Sequence, residues 1–165
     1  MTATRVYQIA PVGPHPDVAV LFVCALRWSS PGEASAVLAL VHDDDVERPS
    51  DATILAAIRS LDDAGKPCGP QLVFDELQRA GLMNQPVADQ LRAAITSGAD
   101  ALAARHYAAA VLADSLRRRV ASAGDALTSA ARDGAEVDLA LLAVRAAQTI
   151  ADCAGRLALL RGESL

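Results

Sequence analysis

From Leu102 onward, small and apolar residues return at alternating intervals of four and three: Leu102, His106, Ala109, Ala113, Leu116, Val120, Ala123 and Leu127. After "RDGAEV" the same spacing resumes through Leu139, Ala143, Ala146, Ile150, Cys153, Leu157 and Leu160. That period is a heptad seam, the pattern that lets one helix lie along another. Two such helices joined by a short glycine turn predict an antiparallel helical hairpin over residues 101–162, with Asp138 capping the second helix. Alanine on both seams permits close backbone approach. A hairpin this long cannot bury both of its sides alone, so one side faces the rest of the chain or another chain. The alternative is that both helices complete a single globular bundle.

Composition agrees with helices. Hydrophobic residues make up 52% of the chain but aromatics only 3%. The core must therefore be built of Ala, Leu and Val, which suits packed helices better than a sheet. The formal net charge of −5 and a pI near 5.1 give no overall field that attracts nucleic acid, so no strong direct nucleic-acid binding is expected. Cys24, Cys68 and Cys153 are scattered and odd in number, as in reduced thiols of an intracellular protein. The longest apolar run, Val18 to Leu26, is too short to span a bilayer and lacks the flanks of a signal peptide. A cytoplasmic protein without membrane contact is expected.

Residues 1–16 carry Pro11, Gly13, Pro14 and Pro16 and read as an extended arm. A compact helical head over residues 17–100 follows. Its helices are expected after Asp17 to Trp28, at Glu33 to Val41, at Asp51 to Asp63 with Ser50 as N-cap, at Gln71 to Ala80, and near Val87 to Thr96. Gly65, Gly81 and Gly98 close the last three. The fold class is all-α: a multi-helix head followed by a long hairpin.

The sequence holds no recognisable catalytic, metal or cofactor site. Asp43, Asp44 and Asp45 are consecutive rather than alternating, and no glycine follows for a calcium loop, so they read as the end of one helix and the approach to the next. The only Gly-Lys pair, Gly65-Lys66, has Ser60 and Pro67 where a phosphate loop needs Gly and Ser or Thr. His15, His42 and His106 lie in no metal-ligand spacing. No nucleophile elbow is present. Arg117, Arg118 and Arg119 form one basic cluster on a helix, where neighbours diverge by about 100°. Without an aromatic platform the cluster suits salt bridges or a docking partner better than a nucleic-acid groove.

In order, the motifs of "DVERPSDATILAAIRSLDDAGKPCGPQLVFDELQRAGLM" resemble the N-terminal domain of the DnaB-type replicative helicases. Asp45, Arg48 and Pro49 match the family's Asp-Phe-Tyr opening, and Ile54, Ile58 and Leu61 match the helix after it. Gly65 and Pro67 match its Gly-x-Pro turn, and Leu77, Gly81 and Leu82 the next helix and its close. Downstream, Tyr107, Ala108, Val111 and Arg119 match the Tyr-Ala-x-(Ile/Val)-Val segment and the arginine after it. The resemblance runs from about residue 16 to residue 160. Several positions depart from the pattern. Val46-Glu47 replaces Phe-Tyr, a residue near Ser50 and Asp51 replaces the histidine, Phe22 stands where glycine follows Val-Leu, and Gly69 replaces the aspartate of the turn.

The resemblance implies a non-enzymatic interaction domain, since the family's hydrolysis belongs to an ATPase domain whose phosphate loop is not among these residues. It implies a head with a protruding hairpin that pairs with another hairpin and forms a collar on which primase docks. Together with the heptad seam, it predicts a homodimer or higher oligomer and a helicase or primase partner. Contacts are expected at Leu116, Val120, Ile150 and Leu157, with Leu102, His106, Ala109, Ala113, Ala143 and Ala146 on the same seams. Arg117, Arg118 and Arg119 would order the partner. Two other readings stand beside it: the N-terminal piece of a full ATP-dependent helicase, and a helical regulator or scaffold unrelated to replication.

Overall fold

The fold is a computed structural model that describes residues 17–163, so the arm expected at 1–16 and His15 lie outside the described residues. Among those residues the chain is all α-helical, with no strand. The helices are α1 (Val18–Trp28), α2 (Pro31–Leu38), α3 (Pro49–Asp63), α4 (Pro70–Arg79), α5 (Gln85–Thr96), α6 (Ala104–Asp133) and α7 (Glu136–Arg161). Two short 3₁₀ turns, Asp43–Asp45 and Ala101–Ala103, precede α3 and α6. Among the described residues no helix is long and apolar enough to cross a membrane.

Helix α1 is apolar almost all round, and Ala19, Val20 and every residue from Phe22 to Arg27 are buried. A helix of that kind belongs in the middle of a bundle. It packs against α3, α5 and α6, while α3 also holds α2, α4 and α5. The Asp17 carboxylate caps it by accepting from the Ala19 N–H at 2.8 Å. The core runs through Phe22, Leu26, Ile54, Ile58, Val73 and Leu77 of the head into Leu112, Cys153 and Leu157 of the hairpin.

Helix boundaries correct the sequence reading in three places. Helix α3 begins at Pro49 with Arg48 as the cap residue, so Ser50 lies inside the first turn. Proline has its φ preset for the first helical position and no N–H to leave unpaired there, and it outcompetes the serine. The second helix begins at Pro31 for the same reason, with Ser30 accepting from the Glu33 N–H, and stops at Leu38. Helix α7 starts at Glu136, which places Asp138 in the first turn rather than at the cap.

Helices α6 and α7 pack antiparallel along their length. Their buried residues sit only at the base: Ala104, Ala108, Val111, Leu112 and Ser115 on α6, and Cys153, Arg156, Leu157, Ala158 and Leu160 on α7. Beyond Ser115 the hairpin leaves the head. There the contact is a half-buried seam of Leu116, Arg119, Ala123, Leu127 and Ala130 against Leu139, Leu142, Ala146 and Ile150. The expected seam meets this one at Leu116, Ala123 and Leu127 on α6 and at Leu139, Ala146 and Ile150 on α7, whereas Val120 and Ala143 point to solvent. A straight helix drifts about 20° per heptad against a strict seven-residue repeat, which moves the contact to neighbouring positions.

Gly134 makes the turn between α6 and α7, its N–H donating to the Ala130 carbonyl at 2.7 Å. A Cβ at this position would lie 2.6 Å from that oxygen, inside van der Waals contact with backbone that cannot swing away. Gly134→Ala is therefore expected to cost about 1–3 kcal/mol through local overpacking. Thermal unfolding followed by circular dichroism should show the lowered midpoint.

Candidate interaction surface

The residues that fix the hairpin to the head converge on one buried carboxylate. Asp45, 0% exposed, ends the 3₁₀ turn between α2 and α3. Its Oδ1 accepts from Ser115 Oγ at 2.8 Å and Arg119 Nη2 at 3.0 Å. Its Oδ2 accepts from the His42 N–H at 2.8 Å and from Arg156 Nη1. Arg156 also donates to the Leu40 carbonyl at 2.7 Å and to Asp152 at 3.1 Å. Arg118 donates to the Asp45 carbonyl, and Arg119 reaches Asp44 at 2.8 Å. Burial alone pushes the Asp45 carboxyl upward, but Arg156, the His42 amide, Ser115 and Arg119 together hold it down at about 2. Burial likewise works against the Arg156 cation, and the Asp45 carboxylate outweighs it, so the arginine's pKa rises.

His42, Asp44 and Asp45 bring possible ligand atoms within 4.8 Å of one another. The arrangement does not fit a cation, because Arg119 and Arg156 already place two guanidiniums on the Asp45 oxygens. Asp44 and Asp45 thus hold the base of the hairpin, while Asp43 pairs with Arg59 of α3 at 3.3 Å, intramolecular roles that the sequence reading missed. The signal of the Asp45 anchor was present only as an Asp and arginines far along the chain, of which Arg156 also has a local acid, Asp152, four residues before it.

The interface residues expected from sequence fall into separate places. Arg118, Arg119, Ala146 and Ile150 meet in one groove of about 400 Å³ between α6 and α7, together with Ser122, Leu142 and Arg145. Arg118 and Arg119 are turned inward to the Asp45 loop, and Arg117 faces outward and pairs with Asp114 at 3.0 Å. Leu102 is 81% exposed in the 3₁₀ turn before α6. His106 and Ala109 lie beside Arg105, Leu160 and Arg161 in a shallow cleft at the hairpin base. Ala113 and Leu116 are half-buried against the core, and Leu157 is inside it. Leu157 is therefore spent within the chain, where α7 closes over the head.

A second apolar stripe lies outside the seam. Val137, Leu141 and Val144 stand at i, i+4 and i+7 on α7 with exposures of 82%, 49% and 53%, and Val120 on α6 is 50% exposed. On a helix that spacing is one continuous face. It occupies the outer part of the hairpin, where neither helix has a fully buried residue.

No family model matches the chain, and no curated protein does. Among solved structures, the chain is similar to the crystal structure of the N-terminal domain of DnaB helicase from Mycobacterium tuberculosis. The TM-score is 0.67 at 30% sequence identity, covering 85% of this chain and 99% of that one.

Proposed function

The chain belongs to the family of DnaB helicase N-terminal domains, and on that premise we propose that it is a non-enzymatic interaction domain that pairs through its hairpin and engages helicase or primase in DNA replication. The observation that carries the reading is the outer half of the hairpin, a two-helix arm with a half-buried leucine and alanine seam inside and Val137, Leu141 and Val144 outside. Two helices in contact only with each other bury too little to hold that form well, since most helical stability comes from packing an amphipathic face. A second copy presenting the same stripe about a two-fold axis supplies the missing face. Val120 and Ala143, exposed on the same hairpin, extend that contact toward the head, and His106, at the hairpin base, lies outside it. A collar built this way offers the heads to helicase or primase.

Light scattering on the purified chain tests the pairing. A mass near twice the 17.1 kDa of one chain is expected, and Leu141→Glu with Val144→Glu should weaken self-association by about 100-fold or more while leaving the helical signal intact. A monomer at high concentration would overturn it. Affinity capture from the native cell tests the partner: helicase or primase is expected, and consistent recovery of a partner outside replication would favour the scaffold reading instead.

A further inference from the structure

Val137, Leu141 and Val144 follow one another on α7 at intervals of four and three, and so occupy the d, a and d positions of a heptad. The residues flanking such a stripe are the e positions on one side and the g positions on the other. Here one flank holds Asp138 and Arg145, and the opposite flank holds Ala140 and Ala147. Between Val137 and Ala151 no other residue of α7 is charged. Seven residues apart, the two charges point within about 20° of one direction around the helix.

Both are exposed, and neither has an ion pair among the described residues. Their own helix offers none. The neighbours of Arg145 at three and four residues are Leu141, Leu142, Gln148 and Thr149, and Asp138 likewise has no basic residue within a turn. Elsewhere on the hairpin the pattern differs, for Arg117 pairs with Asp114 and Arg156 with Asp152 within their own helices.

Charges on the flanks of paired helices select orientation and register. A two-fold axis parallel to the helices makes a parallel pair, in which opposite flanks meet and both charges face alanine. A two-fold axis perpendicular to the helices makes an antiparallel pair, in which each flank meets its own counterpart. Only the antiparallel pair lets the charges meet, and register then decides their sign. With Leu141 of each copy layered against Val144 of the other, Arg145 lies beside Asp138 of the second copy, and the contact occurs twice. Sliding one copy by a heptad sets Asp138 against Asp138 in one direction and Arg145 against Arg145 in the other. Sliding it by two heptads toward the head would offer Arg145 an Asp152 that Arg156 already holds, and would run the stripe against the buried Leu157 and Ala158. One register alone joins the apolar stripe to matched charges.

We propose that α7 pairs antiparallel with α7 of a second copy of this chain, the heads at opposite ends, and that two reciprocal Asp138–Arg145 ion pairs fix the register and select a like partner. This rests on the pairing through the α7 stripe and adds its orientation, its register and the residues that set them. Sedimentation at low ionic strength tests it on the parent, Arg145→Asp, Asp138→Arg and the double exchange in one chain. Each single reversal is expected to weaken self-association by about tenfold or more, since like charges then meet twice across the axis. The double exchange should return to within about threefold of the parent, and the differences should shrink as salt is raised. Mixed in equal amounts, the two single variants should form the mixed dimer in preference to either homodimer, read by native mass spectrometry. All of these substitutions lie on exposed helix surface, so circular dichroism should be unchanged. A dimeric parent indifferent to both reversals, or a double exchange no better than the singles, would overturn the register and leave the stripe pairing standing. A parent that stays monomeric at high concentration would overturn the pairing itself, and the register with it.

Discussion

Asp45→Ala is expected to lower the free energy of unfolding by about 3–5 kcal/mol, because it leaves Arg119 and Arg156 aimed at an emptied buried site. Arg156 is 8% exposed and cannot swing to water without opening the base of α7. Asp45→Asn keeps the volume and one acceptor and should cost less. Urea unfolding gives both values, and hydrogen exchange should show the loss concentrated where α7 meets the head. The same carboxylate makes stability depend on pH in a defined direction. Its pKa is depressed from 3.8 to about 2 on folding, so its contribution is complete above the unfolded value and disappears as pH falls from about 4 toward 2. By linkage that contribution is roughly 2 kcal/mol. The parent should lose this much more stability than the Asn variant across the window. An equal acid response in both would show that Asp45 is not the coupled group.

The helices were legible because each obeys local rules. α4 and α5 announce themselves by apolar period and by the prolines and glycines at their ends, α1 by its unbroken apolar run after Asp17, and Asn84 caps α5 by accepting from the Val87 N–H at 3.0 Å. The anchor was not legible. Asp45 finds Ser115, Arg119 and Arg156 at separations of 70, 74 and 111 residues. No local pattern announces such partners, so three adjacent aspartates read as a loop. Divergence of Arg117, Arg118 and Arg119 around α6 was evident from helix geometry, but which of them would turn inward depends on where the Asp45 loop lies. The Val137, Leu141 and Val144 stripe was hidden by the inner seam, whose period it shares from a different starting position. Alanine is common on both faces of α7, so hydrophobicity alone does not separate the face that meets α6 from the one that meets solvent.

Phe22→Gly should destabilise the chain by about 4–6 kcal/mol, although glycine is what the family pattern places there. Phe22 is 0% exposed at the middle of α1. Truncating a buried phenylalanine costs about 3–5 kcal/mol, and glycine inside a helix adds up to about 1 kcal/mol relative to alanine. Phe22→Leu keeps most of the volume and should cost under about 1.5 kcal/mol. Against a typical domain stability of about 5–15 kcal/mol, the glycine variant would be close to unfolded, and urea midpoints for the two variants would separate them clearly. The reason lies in what α1 packs against. Helix α6, in contact with it, carries Ala104 and Ala108, both 0% exposed. A large residue on one helix and small ones on its neighbour fill the same space that a small residue and larger partners would fill, so the helix-to-helix distance can be kept while the sequence changes. A glycine returned to position 22 without enlarging those alanines leaves a cavity that nothing nearby can close. If Phe22→Gly instead cost no more than the leucine variant, α1 and α6 would have to collapse together, and the packing of the head would be more adaptable than its close-set alanines imply.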